Sequence, residues 1–139
     1  MGAWAADSFG NDTACDWAYA IEDCNDLSLV EETLDKVLHE GDGYIDASDA
    51  EEAIAAIEVI ARLQGNWGTR NAYSESVDKW VKKSKLVPDK ELVEKAHQVI
   101  ARILGDESEL KELWADSSLS KEWTVSVQEL AGRVKLSQV

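Results

Sequence analysis

Proline is nearly absent from the sequence, which contains one in 139 residues, Pro88. A long uninterrupted hydrophobic run is also missing, because charged residues make up 30% of the chain and recur throughout it. A membrane-spanning helix requires about 20 consecutive and mostly apolar residues, so none is expected. With 45% hydrophobic residues, the composition is typical of a soluble globular protein rather than a disordered chain.

The first residues lack the features of a targeting signal. They contain neither the basic segment nor the apolar core of a secretory signal peptide. Ala6 stands where a myristoylation signal has serine or threonine. The two cysteines, Cys15 and Cys24, fall on opposite sides of one predicted helix and cannot form a disulfide while that helix is intact. We therefore expect a cytoplasmic protein.

Basic residues are scarce in the first half of the chain. Residues 1–61 contain sixteen acidic residues and one basic residue, Lys36, whereas residues 62–139 contain twelve acidic and thirteen basic residues. The net charge of −14 therefore arises from the first half. A field of this sign repels nucleic acid and anionic membranes and attracts a cation or a basic protein. The alternative is that the charge only keeps the protein soluble.

Apolar residues recur at helical spacing along most of the chain, and no segment shows the alternation of a strand. The segment from about residue 49 to 64 is apolar around most of its circumference, which predicts a central helix surrounded by others. Capping boxes at Ser28–Glu31 and Ser48–Glu51 are expected to begin two helices, and Gly65 is expected to end the central one. We predict an all-α bundle of six or seven helices. It forms a single domain over residues 1–139, with residues 1–11 as an N-terminal arm packed on the core.

One acidic loop is similar to half of an EF-hand. With Gly43 aligned to the invariant glycine, four residues fall on loop positions three, five, seven and nine: Glu40, Asp42, Tyr44 and Asp46. The ends of the loop do not fit, because Leu38 stands at the first position and Asp49 replaces the bidentate glutamate at the twelfth. No calcium site is predicted.

Motifs for metal binding and catalysis are missing elsewhere. Glu94 and His97 have the spacing of half a di-iron site, but no second motif of this kind occurs. Glu58 lies in an apolar run, which would suit a catalytic carboxylate of raised pKa, yet its spacing from Arg62 favours an ion pair along one helix. No nucleophile or phosphate-binding motif is present. We predict no catalytic residue, metal or cofactor.

Three segments carry a resemblance to a known family. They are Met1–Trp4 followed by Phe9–Trp17, the alanine-rich segment Glu52–Ala61, and Ser108–Trp114. In the same order they resemble the segments of a bacterial family called domain of unknown function 4259. Ala5 departs from the family's usual glycine. The resemblance implies a bacterial cytosolic source and a single domain, and it assigns no activity or site residue.

The charge distribution suggests a non-enzymatic protein-binding module, an immunity- or antitoxin-like inhibitor that docks a basic partner such as a toxin. We predict that exposed acids around the second helix and the following loop contact this partner: Glu31, Glu32, Asp35, Glu40, Asp42, Asp46 and Asp49. Trp4 and Trp67 lie outside the predicted helices and are candidate aromatic anchors. We expect no nucleic-acid or membrane partner.

Two alternatives remain open at this stage. One is a small hydrolase or metal-dependent enzyme that uses Glu58 and His97, and the other is a self-associating structural module. The sequence does not indicate the oligomeric state.

Overall fold

The computed structural model describes residues 8–40, 43–68, 70 and 74–135. Seven helices and no strand are present in this part of the chain. The helices are α1 (Asp12–Ile21), α2 (Ser28–Leu38), α3 (Ala47–Leu63), α4 (Glu75–Ser84), α5 (Lys90–Ile103), α6 (Glu109–Ala115) and α7 (Ser120–Arg133). The predicted all-α fold is confirmed.

Helix α3 is the centre of the bundle, as its apolar circumference predicts. It contacts each of the other six helices, and every residue from Ala53 to Arg62 is buried. The core side chains of all seven helices belong to one hydrophobic cluster. A helix that is apolar around most of its girth is stable in water only when other elements cover it, so this one segment dictates the arrangement of the rest.

Local hydrogen bonds set several helix ends where the sequence predicts them. The side chain of Asn11 accepts a hydrogen bond of 2.7 Å from the Ala14 amide at the start of α1. Gly65 follows the cap residue Gln64 at the end of α3, and its φ of 86° is favourable for glycine. The amide of Asn66 then donates to the Ala61 carbonyl at 2.9 Å, which is the long hydrogen bond of a Schellman motif.

The two predicted capping boxes are wrong. Helix α3 begins earlier, after Asp46, whose carboxylate accepts from the Ser48 amide at 2.8 Å. Before α2, the carboxylate of Asp26 accepts from the Ser28 amide at 3.0 Å. In both cases an aspartate two residues upstream binds the free amide, which is a common local alternative to a serine cap. Glu51 is buried instead of lying at the helix end.

Helix α1 is shorter than predicted, because it ends at Ile21 and does not extend to Cys24. Cys24 therefore lies beyond the helix that carries Cys15, and the two cysteines do not form a disulfide. The indole of Trp80 donates to the Cys24 carbonyl at 2.9 Å, so α4 holds the turn that follows α1.

Part of the predicted N-terminal arm is buried. Ser8 and Asn11 are buried polar residues, and Phe9 belongs to the hydrophobic core. Residues 1–7 lie outside the described residues, as do Asp42 and Trp4 among the candidate site residues. That a single domain spans residues 1–139 stays a prediction.

Candidate functional site

Three of the acids predicted to contact a partner are paired with the chain's own lysines. Lys95 on α5 lies 3.4 Å from Glu31 and 3.0 Å from Asp35. Lys36 lies 3.8 Å from Asp49 and also contacts Glu52 at 3.2 Å. These surface pairs lower the negative potential locally, so Glu31, Asp35 and Asp49 offer less charge to a partner than the sequence suggests.

The other predicted acids that the structure describes keep their charge uncompensated. Glu32, Glu40 and Asp46 are exposed and form no ion pair within the described ranges. The same holds for a group of exposed acids on and just after α1 that the sequence analysis did not select: Asp12, Asp16, Glu22, Asp23 and Asp26. The unpaired surface therefore extends from α2 onto the outer side of α1.

Helix α1 also presents an aromatic side chain to solvent. Tyr19 is 63% exposed. Asp16 lies three residues before it on the same face of α1, and Asp23 follows just after the end of the helix. The periodicity of α1 contained the necessary signal, because Tyr19 falls opposite the buried stripe of Ala14, Trp17 and Ile21.

A buried charge cluster joins α3, α7 and the segment before α1. The carboxylate of Glu58 accepts hydrogen bonds from Nη1 and Nη2 of Arg133 at 3.0 and 2.8 Å. It also accepts from the Ser8 hydroxyl at 2.6 Å and forms an ion pair with Arg62. The predicted pair of Glu58 and Arg62 is confirmed, but it is buried and not part of a solvent-facing strip.

The cluster continues through Arg62 to helix α4. Nε of Arg62 donates to Oδ1 of Asp78 at 2.8 Å, and the Ser74 hydroxyl donates to Oδ2 of the same carboxylate at 2.8 Å. The guanidinium of Arg62 also lies 5.6 Å from the centre of the Phe9 ring and 5.7 Å from that of Trp67. Two carboxylates thus neutralise two guanidinium groups, which is the condition for burying charge at acceptable cost.

Trp67 is half-buried against the hydrophobic core. Besides Arg62, the guanidinium of Arg70 lies 5.0 Å and the ammonium of Lys82 lies 5.9 Å from its ring centre. These cation–π contacts account for much of the ring's surroundings. Trp67 therefore stays a candidate anchor, with a structural role that explains its position.

The loop after α3 holds the end of α7. The side-chain amide of Asn66 donates to the Arg133 carbonyl at 2.7 Å. The backbone carbonyl of Asn66 accepts a hydrogen bond from Nη1 of Arg133 at 3.2 Å. The side-chain amide of Gln64 accepts from the Lys135 backbone N–H at 2.8 Å and donates to the Lys135 carbonyl at 3.0 Å. A Cβ atom at Gly68 would lie 2.7 Å from Cζ and both Nη atoms of Arg133, so a larger residue there would have to displace the guanidinium from its contacts with Glu58 and Asn66.

Burial alone would raise the pKa of Glu58, but the hydrogen bonds from Arg133 and the charges of Arg62 and Arg133 outweigh it. The net effect is a pKa below the ordinary carboxyl value. Such a carboxylate stays ionised with its oxygens occupied, which does not favour a role as a general acid or base near neutral pH. His97 binds the Val134 carbonyl at 2.8 Å, and no hydrogen bond or ion pair joins it to Glu58 within the described residues.

The lowered pKa of Glu58 predicts acid-dependent stability. Because the folded-state pKa is depressed, the stabilisation is present above the ordinary carboxyl pKa of about 4.3. It is lost as the pH falls through the lower folded-state value. The difference in unfolding free energy between the wild type and Glu58→Gln should therefore narrow as the pH falls below about 4.3, measured by urea unfolding.

Glu40→Gln, which changes an exposed and unpaired carboxylate, is the control and should follow the wild type at every pH. A wild-type advantage over Glu58→Gln that stayed constant down to acid pH would contradict the assignment.

The loop similar to half of an EF-hand has a structural contact instead. Ile45 forms an isolated parallel bridge with Ser108, with hydrogen bonds of 2.9 Å to the Glu107 carbonyl and 3.0 Å from the Glu109 amide. In the described segments, no group of three or more His, Cys, Asp or Glu residues is placed to hold a metal ion. None of the helices found there combines the length and apolar composition that crossing a bilayer requires.

A comparison with protein families matches residues 2–126 to the model for a domain of unknown function, DUF4259. The chain belongs to the DUF4259 family. The resemblance inferred from the sequence is thereby confirmed. In this DUF4259 chain the matched segment contains Ser8, Glu58, Arg62 and Asp78 but ends before Arg133. Neither the curated proteins nor the solved structures gave a significant match.

Asp78 and Arg133 were not predicted from the sequence as members of the DUF4259 chain's buried cluster. Arg133 lies 75 residues from Glu58 along the chain, and Asp78 lies 16 residues from Arg62. A weak signal for Asp78 was its place beside Val77 on the buried stripe of α4. For Arg133, the nearest sequence signal was its spacing from Glu129, which indicates only a local ion pair.

Proposed function

We propose that this DUF4259 protein is a non-enzymatic, acidic protein-binding module of the bacterial cytoplasm. It acts as an immunity- or antitoxin-like inhibitor that docks a basic partner, such as a toxin, through the acidic N-terminal half. The observation that carries the proposal is the set of exposed acids from Asp12 to Asp46 that form no ion pair within the described residues.

The distribution of these acids supports steering of a cationic partner. Unpaired carboxylates on one part of the surface add their fields, whereas interspersed pairs cancel within about a Debye length of 8–10 Å. Lys36 and Lys95 neutralise only the middle of the region. The outer side of α1 and the ends of α2 remain negative, so an approaching basic surface meets an attractive potential before contact.

The interior of the protein supports a binding role rather than turnover. Glu58, the most suggestive candidate for catalysis, has its carboxylate fully engaged by Ser8, Arg62 and Arg133. A scaffold whose buried charges are paired with each other suits an inhibitor, because a surface that is already arranged for binding loses little conformational entropy on association.

The test is the association rate with the basic protein that copurifies from the source cells. A triple variant, Asp23→Lys, Glu32→Lys and Glu40→Lys, should slow association by about tenfold or more at low salt, because steering raises association rates by this order or more. The rates would be measured by stopped-flow fluorescence at about 50 and 300 mM salt, where screening should shrink the difference.

The matched control reverses three exposed acids of the second half, Glu107→Lys, Asp116→Lys and Glu122→Lys. It changes the net charge by the same amount and should slow association much less. Equal slowing by both variants would show that only the net charge matters and that the N-terminal acids are not the binding surface. Copurification of acidic or neutral proteins only would also refute the proposal.

A further inference from the structure

A surface groove of about 250 Å³ lies where the connection between α1 and α2 meets the connection between α4 and α5. This is smaller than the roughly 300–1,000 Å³ of pockets that hold drug-sized ligands, so the groove suits a single side chain. Its lining combines aliphatic and acidic residues: Asp26, Leu27, Ser28, Glu31, Val87, Asp89 and Leu92.

The aliphatic part of the lining comes from both connections. Val87 is 74% exposed, while Leu92 at the start of α5 is almost fully buried. Leu27 is half-buried and packs against the core. Together they offer apolar surface on which the methylene groups of a long basic side chain can lie while its charged end stays near the rim.

Each of the three carboxylates of the groove has one oxygen that receives no hydrogen bond from a described residue. Oδ1 of Asp26 accepts from the Ser28 amide and hydroxyl, at 3.0 and 2.7 Å, which leaves Oδ2. Oδ1 of Asp89 accepts from the Leu92 amide at 2.8 Å, which leaves Oδ2. Oε2 of Glu31 contacts Lys95 at 3.4 Å, which leaves Oε1.

The local charge favours a cation. Three carboxylates contribute −3, and the two helix N-termini that Asp26 and Asp89 precede contribute roughly +0.5 each, so the groove carries about −2. Lys95 offsets this only in part, because its ammonium also lies 3.0 Å from Asp35 and 3.8 Å from Glu91.

We propose that this groove binds an arginine side chain of the basic partner and anchors the complex. The proposal rests on the proposed function and names the contact at its centre. The guanidinium presents five donors in a planar fork, which matches free carboxylate oxygens on several sides better than the point charge of lysine. The aliphatic stem of the arginine covers Val87 and Leu27.

The test uses the full chain and a short probe, the capped tripeptide Ala-Arg-Ala, followed by two-dimensional ¹H–¹⁵N NMR. The probe should shift the backbone amides of residues 26–31 and 87–92, apart from Pro88, in a saturable manner. The same peptide with citrulline, which lacks the charge, should give at most a fifth of the shift. The peptide with lysine should bind several-fold more weakly than the one with arginine.

The decisive variant is Asp26→Asn with Asp89→Asn, because asparagine caps a helix about as well as aspartate and the fold is retained. It should raise the apparent Kd for the arginine probe at least fivefold. The matched control, Asp12→Asn with Asp16→Asn, removes the same charge from the outer side of α1 and should leave the Kd within twofold. Val87→Ser, which keeps all three carboxylates, should weaken binding about two- to threefold.

Several results would overturn the proposal. These are equal binding of the citrulline peptide, shifts scattered over all the exposed acids, or an equal loss of affinity in the α1 control. Its failure is separable from that of the proposed function. If a basic partner still depends on Asp23, Glu32 and Glu40 but not on the groove, only the groove proposal is refuted. If the groove takes the arginine probe while charge reversal leaves partner association unchanged, only the steering mechanism is refuted.

Discussion

Arg62→Met is expected to lower the free energy of unfolding by about 3–5 kcal/mol, because it removes one partner from a buried ion network. Arg62 is 2% exposed and is among the largest fully buried side chains. Its loss leaves the Asp78 carboxylate with the hydrogen bond from the Ser74 hydroxyl and takes one guanidinium from Glu58. Methionine fills similar space with an unbranched apolar chain. The decrease in unfolding free energy therefore measures the removal of the charge rather than the creation of a cavity.

The measurement is urea unfolding followed by tryptophan fluorescence and far-ultraviolet circular dichroism at neutral pH. The control is Lys36→Met, which removes an exposed base whose ammonium lies 3.2 Å from Glu52. An exposed pair contributes about 0–1 kcal/mol, so this variant should be nearly as stable as the wild type. Equal losses in the two variants would show that the buried network has no special role in stability.

Ile57→Asp is expected to unfold the protein at room temperature. Ile57 is completely buried at the centre of α3, and burial of such a side chain contributes roughly 1.5–3 kcal/mol. An uncompensated carboxylate in its place adds a penalty of several kcal/mol. The sum is comparable with the 5–15 kcal/mol by which typical domains are stable, and the loss falls on the helix that all the others contact.

The expected readout for Ile57→Asp is loss of most helical circular dichroism and of the cooperative thermal transition. Val125→Asp is the matched control, because Val125 lies on α7 and is 54% exposed. Surface substitutions usually change stability by less than about 0.5 kcal/mol, so this variant should melt like the wild type. A folded Ile57→Asp protein would show that α3 is not the centre on which the fold depends.

The two variants separate the framework from the binding surface. If Arg62→Met remains folded under native conditions, the acids of α1 and α2 keep their positions, and its association with a basic partner should be close to that of the wild type. A loss of binding without unfolding would instead connect the buried cluster to recognition.

Much of the helical architecture could be predicted, because the apolar spacing that marks a helix lies within a short segment of the sequence. Apolar spacing predicted the central helix from about residue 49 to 64, and Gly65 was identified as the end of α3. The errors lie at helix ends, because α1 stops at Ile21 and because Asp26 and Asp46 bind the amides that the predicted serine caps were meant to satisfy. Competing side chains within two or three residues differ by small energies, so sequence spacing alone does not select between them.

The candidate surface could be predicted less well. The excess of acid in residues 1–61 is a matter of counting, but its effective strength depends on which lysines reach it. Lys95 on α5, which is distant from α2 in the sequence, pairs with Asp35 at 3.0 Å. This pairing reduces the negative charge that the acids selected from the sequence can offer to a partner. The acids of α1 form no ion pair within the described residues, so they become the stronger candidates for contact with a basic partner.

The sequence by itself determined the helical class, the central position of α3 and the unequal division of charge, because each follows from composition or from a repeat along the chain. Only the tertiary structure decided that Ser8, Glu58 and Arg133 meet in the interior, since they lie 50 and 75 residues apart. It also decided that Asp26 and Asp89 border one groove. Such contacts depend on how whole helices pack against each other, and no local pattern encodes that geometry.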